Sequence, residues 1–149
     1  LTETGEVIKP DEDFRVVATD NTTGFGDETG LYAGCNMQNE ATMQRFSATF
    51  LIEHPERDRE ADILGQHVPD LSADLRDRLL SMAEDVRKMH EQQELVTTVS
   101  VRQLINIAKK LTRFDDAKRA VKVGLTNRLP EADRDAVLEI AQRHIGFEL

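Results

Sequence analysis

Three polar side chains stand where they could act on an anion: Asn21, Arg45 and Arg102. Asn21 comes just after the apolar run Phe14-Arg15-Val16-Val17-Ala18-Thr19. An amide at the C-terminal end of a strand can donate to a phosphate oxygen or hold a lytic water, because open α/β sheets build ligand sites there. It can equally bond its own loop backbone, as Asn does in turns, and position alone favours that reading. Arg45, in Met43-Gln44-Arg45-Phe46, closes an expected helix just before an apolar segment. The helix dipole favours a cation at that end, and an Arg can also stabilise charge on a transferring phosphoryl group. Arg102 stands in the first turn of a helix capped by Ser100, where a cation opposes the dipole. It lies off the apolar stripe. It is either a tolerated surface charge or the partner of an anion that makes its position favourable.

These side chains need elements to hold them. Residues 1–13, with Thr4-Gly5-Glu6, read as a small hairpin or arm, and Lys9-Pro10-Asp11 as a turn. Residues 14–19 read as a strand, rich in β-branched side chains. A loop follows with Gly24, Gly26, Gly30 and Gly34. Residues 36–45 are expected to form a short helix capped by Asn36. Residues 46–52, Phe-Ser-Ala-Thr-Phe-Leu-Ile, read as a second strand. Pro55 opens a charged helix over about 56–66, and the run Glu56-Arg57-Asp58-Arg59-Glu60 reads as its solvated face. Two strands and an arm do not make a self-sufficient parallel sheet, so the sheet's other strands are expected elsewhere.

Pro69-Asp70 marks the expected boundary, and all beyond it reads helical. Leu71, Leu75, Leu79, Met82 and Val86 recur at three- and four-residue spacings, as one buried helix face does. That helix should end near residues 90–94. A second has Ser100 as cap and Val101, Leu104, Ile105, Ala108 and Leu111 as its stripe. A third opens at Asp115 or Asp116, with Ala117, Ala120, Val121 and Leu125 inward. A fourth opens with Pro130 and the acids Glu131 and Asp133, then buries Val137, Ile140 and Ala141. The expected fold class is α+β, mostly α. A partial α/β core occupies residues 1–68 and a four-helix subdomain residues 69–149.

Composition narrows the function. The chain has 149 residues with a net charge of −9, and its basic residues form no stripe. That balance disfavours a nucleic-acid partner, which needs Lys and Arg to neutralise phosphates. No apolar run is long enough to span a membrane, and the polar, acidic start is not a signal peptide. Opening on Leu1 rather than Met leads us to expect a piece of a longer protein. Cys35 is the single cysteine, so a cytoplasmic, reducing compartment is the simplest expectation, and Cys35 reads as a small loop residue rather than a nucleophile. His54, His67, His90 and His144 lie far apart without metal-ligand spacing, so no metal site is expected. The glycine loop is not a P-loop. No Gly-x-x-x-x-Gly-Lys-Ser/Thr occurs in the sequence, and no Lys lies near these glycines.

The wording of residues 14–34 resembles the sensor-1 segment of AAA+ ATPases, in particular the cobaltochelatase small-subunit (CobS-type) and MoxR-like clade. The run from Gly24 through Asp27, Thr29, Gly30, Leu31 and Tyr32 to Gly34 is the most specific part of the match. The resemblance covers nearly the whole chain, from the arm before Phe14 to the tail with Leu125, Asn127, Arg128 and residues 142–146. It implies that Asn21 is sensor 1, which reads the γ-phosphate. It implies that Arg45 is an arginine finger acting across a subunit interface. The family pattern there is Asp-Arg-aromatic, and this chain has Gln44 in place of the Asp. It further implies that Arg102, in Thr98-Val99-Ser100-Val101-Arg102, is sensor 2 on a helical lid, with Val101 where the family usually has Pro.

The same resemblance implies ATP and Mg²⁺ as cofactors, held mainly by Walker A and Walker B residues that this sequence lacks. The 149 residues alone are therefore expected not to hydrolyse ATP. The implied assembly is a homo-oligomeric ring, of hexamer type, that remodels a partner protein. In the cobaltochelatase case the partner subunit inserts cobalt into a corrin precursor. A MoxR-like or phage-borne AAA+ chaperone shares the same residues. A non-catalytic helical interaction module is the alternative from a different class.

Overall fold

The computed structural model describes residues 4–20 and 38–148. The chain divides into two compact units, Leu1–Phe50 and Leu51–Leu149. Asn21, Cys35 and the glycine run from Gly24 to Gly34 lie outside the described residues.

The described part of the first unit is largely irregular. Gly5 sits at φ +69°, a left-handed conformation that glycine adopts without a Cβ penalty. The turn expected at residues 9–11 lies slightly later. The Phe14 amide donates to the Asp11 carbonyl (3.0 Å), and the Asp13 amide to Asp11 Oδ1 (2.9 Å). Helix α1, Glu40–Met43, is a single turn capped by Asn39, whose side chain accepts from the Ala41 amide (2.8 Å). The expected cap was Asn36. An Asn three residues nearer the helix supplies the same acceptor.

Neither expected strand forms among the described residues. Residues 14–20 and 46–52 carry no ladder, and their side chains stay open, with Val17 89% and Ile52 86% exposed. The physical reason is that a strand exists only through its neighbours. A lone apolar segment leaves its backbone donors and acceptors unpaired, and two strands alone are marginal in water.

The second unit is helical. Helix α2, Arg57–His67, follows Pro55, and α3 spans Ala73–Glu91 from a Ser72 cap. Helix α4 spans Val101–Leu111 and α5 Ala117–Gly124, capped by Asp116. A 3-10 turn, Thr126–Arg128, leads to α6, Glu131–Ile145, which Gly146 ends in a left-handed C-cap at φ 82°. The four helices expected beyond Pro69 are thus α3 to α6. Helix α2 packs with them, against α3 and α4.

One core unites the five helices. It contains Leu64 from α2, Leu79, Met82, Ala83 and Val86 from α3, Leu104, Ile107 and Ala108 from α4, Val121 from α5, and Val137, Ile140 and Ala141 from α6. On α4 the buried face is centred on Leu104, Ile107 and Ala108, while Val101, Ile105 and Leu111 are only partly covered. Helices α4 and α5 approach closely at Gly124, where an added Cβ would stand 3.2 Å from Ile107 Cα.

Candidate functional site

Arg45 lies in the turn after α1, and its side chain is exposed. Its amide donates to the Thr42 carbonyl (3.2 Å). A single helical turn carries little dipole, so that reason for a cation here is weak. Gln44, standing where the family pattern has Asp, donates through Nε2 to Glu40 Oε1 (3.1 Å) rather than positioning Arg45. Among the described residues the Arg45 guanidinium has no hydrogen bond or ion pair.

Arg102 occupies the second position of α4 and is exposed. Among the described residues its guanidinium is also without an ion pair. The helix start beneath it is built with care. Ser100 and Gln103 form a capping box: the Gln103 amide donates to Ser100 Oγ (3.3 Å) and the Ser100 amide to Gln103 Oε1 (2.8 Å). This local signal is legible in the order Ser-Val-Arg-Gln.

The segment leading into that cap is held from both sides. From α3, Arg87 Nε donates to the Val99 carbonyl (2.9 Å). The same guanidinium forms two parallel bonds with Glu60 of α2, Nη1 to Oε2 (2.8 Å) and Nη2 to Oε1 (2.7 Å). From α6, Asp133 accepts from the Thr97 amide through Oδ2 (2.7 Å) and from the Val96 amide through Oδ1 (3.4 Å). His90 Nδ1 lies 3.0 Å from the Leu95 carbonyl at the start of the segment. Arg57 adds a second tie between α2 and α3, reaching Asp77, Ser81 and Glu84.

Two expectations change here. The run Glu56-Arg57-Asp58-Arg59-Glu60 is not a uniformly solvated face, because Glu60 is only 2% exposed. Its carboxylate is taken out of water onto Arg87, where a bidentate pair offsets the desolvation. Asp133 does more than complement the dipole of α6, since it is 3% exposed and bonded across the unit. A faint signal for these residues was present. Glu60 stands one turn before buried Leu64, and Arg87 one turn after buried Ala83, so both charges fall on apolar faces.

His54 lies near the Glu60–Arg87 pair. Partial burial, and then the Arg87 charge, hold its imidazole below the ordinary histidine value, against the opposing pull of Glu60 and Glu91. Among the described residues no group of three His, Cys, Asp or Glu side chains could hold a metal ion. No helix among them is long and apolar enough to cross a membrane.

Comparison with known proteins places this arrangement. Residues 60–144 match the family model described as CbbQ/NirQ/NorQ C-terminal. The match takes in α3 to α6, the Arg102 turn and the residues that brace it, from Glu60 to Asp133. The chain is also 34% identical over 153 aligned residues to a protein of Sinorhizobium sp named aerobic cobaltochelatase subunit CobS. That alignment uses 100% of this chain and 46% of the relative, so the chain spans less than half the length of the curated relative it matches. With the family model covering more than half of its residues, the chain belongs to the CbbQ/NirQ/NorQ C-terminal family, within the CobS and MoxR-like clade of AAA+ ATPases.

Proposed function

We propose that the chain is the C-terminal part of an AAA+ ATPase that couples ATP hydrolysis to remodelling of a partner protein, in the manner of the ATPase subunit of a cobaltochelatase. Residues 1–68 run to the end of its α/β core and residues 69–149 form its helical lid, with α2 at the junction packed on the lid helices α3 and α4. The strand segments at 14–19 and 46–52 pair within a sheet completed by the rest of that core. Their open apolar side chains, Phe14, Val16, Val17, Phe50, Leu51 and Ile52, are the surface such a sheet would bury.

Arg102 carries this reading. It is an exposed cation without an ion pair among the described residues, placed in a helix first turn where only an anion makes a cation favourable. A nucleotide phosphate is such an anion. The metal and most phosphate contacts fall to Walker A and Walker B residues in the remainder of the ATPase, as in the family this chain resembles. Asn21 reads the γ-phosphate, and Arg45 reaches the nucleotide of the neighbouring subunit in a homo-oligomeric ring. The exposed Arg45 guanidinium suits a residue that acts in trans. The ring works in the cytoplasm, without nucleic acid or membrane. A MoxR-like or phage-borne chaperone would use the same residues on a different partner.

The test is ATP turnover by the full-length protein and its Asn21→Ala, Arg45→Ala and Arg102→Ala variants. Loss of turnover in the first two is expected. Arg45→Ala should regain part of its activity when mixed with a subunit that cannot hydrolyse ATP but keeps its own Arg45. Weaker ATP binding is expected in Arg102→Ala. The self-contained core of the helical unit favours the second reading, a non-catalytic helical interaction module. Normal turnover in all three variants would overturn the roles given to Asn21, Arg45 and Arg102, and a full-length protein without ATP turnover would favour the module.

A further inference from the structure

A surface helix needs little more than its cap to begin, yet the approach to α4 is anchored by charged groups from three other helices. Asp133 of α6 is nearly buried, and its hydrogen bonds go to the backbone amides of Thr97 and Val96. A buried carboxylate that bonds main-chain donors fixes the path of that main chain, because leaving either side unpaired is costly. On the other flank Arg87 of α3 spends one donor on the Val99 carbonyl, while Glu60 of α2 pins its remaining nitrogens. The segment thus has its amides held at 96 and 97, its carbonyl at 99 and its cap at 100. Two residues later the chain presents Arg102.

We propose that Asp133 and Arg87 are positioning residues for Arg102, setting the path into α4 and so the place from which the guanidinium meets nucleotide. The inference rests on the assignment of Arg102 to nucleotide made above. It also makes α2 part of the clamp, since Glu60 holds Arg87 at the angle that reaches Val99. Neither residue touches the nucleotide itself. Their effect runs through the backbone they hold.

The experiment uses the full-length protein. Asp133→Asn keeps shape and one acceptor but loses the second. Arg87→Lys keeps the charge but cannot serve Glu60 twice and Val99 at once. Equilibrium affinity for a fluorescent ATP analogue is measured for each variant, alone and combined with Arg102→Ala, together with amide hydrogen exchange at residues 96–100. We expect about fivefold weaker binding in each single variant, with faster exchange at Val96 and Thr97 for Asp133→Asn. In the Arg102→Ala background neither should weaken binding further, the non-additivity of residues acting through one another. Losses that simply add would show a general structural role and overturn the proposal, as would faster exchange with unchanged affinity. If Arg102→Ala alone leaves affinity unchanged, the nucleotide assignment fails. If Arg102→Ala weakens binding while Asp133→Asn and Arg87→Lys do not, the positioning inference alone fails.

Discussion

Arg87 and Glu60 lie 27 residues apart and meet as a bidentate pair at 2.7 and 2.8 Å, with both side chains almost wholly buried. The pair joins α2 to α3, and through the Arg87 bond to the Val99 carbonyl it reaches the start of α4. Arg suits this place because its planar fork serves a carboxylate and a carbonyl together, which a Lys ammonium cannot do with the same geometry.

Breaking one side of this pair should be far worse than replacing both. Glu60→Ala leaves a buried guanidinium without its counter-charge and is expected to cost about 3–5 kcal/mol. The double replacement Glu60→Leu with Arg87→Met should recover much of that loss. Recovery stays incomplete, because the Val99 carbonyl is left unpaired at about 1–3 kcal/mol. Urea unfolding of the two variants checks the order. A double variant less stable than Glu60→Ala would show that the pair is not the main tie.

Gly124 should resist even the smallest side chain. An added Cβ meets Ile107 Cα at 3.2 Å and Ile107 Cγ1 at 3.3 Å, and Ile107 is fully buried. The nearer contact is backbone, so α4 and α5 must part to admit a methyl group. Gly124→Ala is expected to destabilise by about 1–2 kcal/mol, overpacking outweighing any gain in helix propensity. Gly124→Val should cost more. A melting temperature that rises in Gly124→Ala would mean the helices yield freely at this point.

The capping box at α4 should be separable from the contacts that brace it. Ser100→Ala removes the acceptor for the Gln103 amide and is expected to cost about 1 kcal/mol. Ser100→Asp should restore most of it, since Asp also caps well. Chemical denaturation of the pair of variants is the measurement. Equal loss in both would point to the hydroxyl's bond to Gln103 Oε1 rather than to the cap.

His54 should contribute a small acid sensitivity. Its folded pKa lies below the unfolded value of about 6.5, so between the two the unfolded chain binds more protons. Stability from this group is therefore present above about pH 6.5 and is lost as pH falls through the folded pKa. Much of the ring stays in solvent, which keeps the effect small. His54→Gln should flatten the decline in melting temperature between neutral and mildly acidic pH. An unchanged pH profile in that variant would remove His54 from the account.

Much of the helical unit was legible because its rules are local. Leu79, Met82 and Val86 recur at helical spacing, Ser100 and Asp116 are good caps, and Pro130 suits a helix start. Each of these works within a turn or two of chain, so the residue order determines it. The glycine-rich string from Gly24 to Gly34 likewise carried the family in the sequence alone. What the sequence could not decide is which distant groups pair. Glu60 in a charged run and Asp133 in an acidic first turn look like solvated residues until α3 and the 96–97 segment are brought against them. The segments 14–19 and 46–52, which form no strand among the described residues, show the same dependence from the other side. Apolar, β-branched composition equips a segment to join a sheet, but a sheet is a set of partners, and only tertiary structure supplies partners. Helices close their hydrogen bonds within themselves, so sequence determined them. Strands and buried ion pairs close theirs across the fold, so the fold decided them.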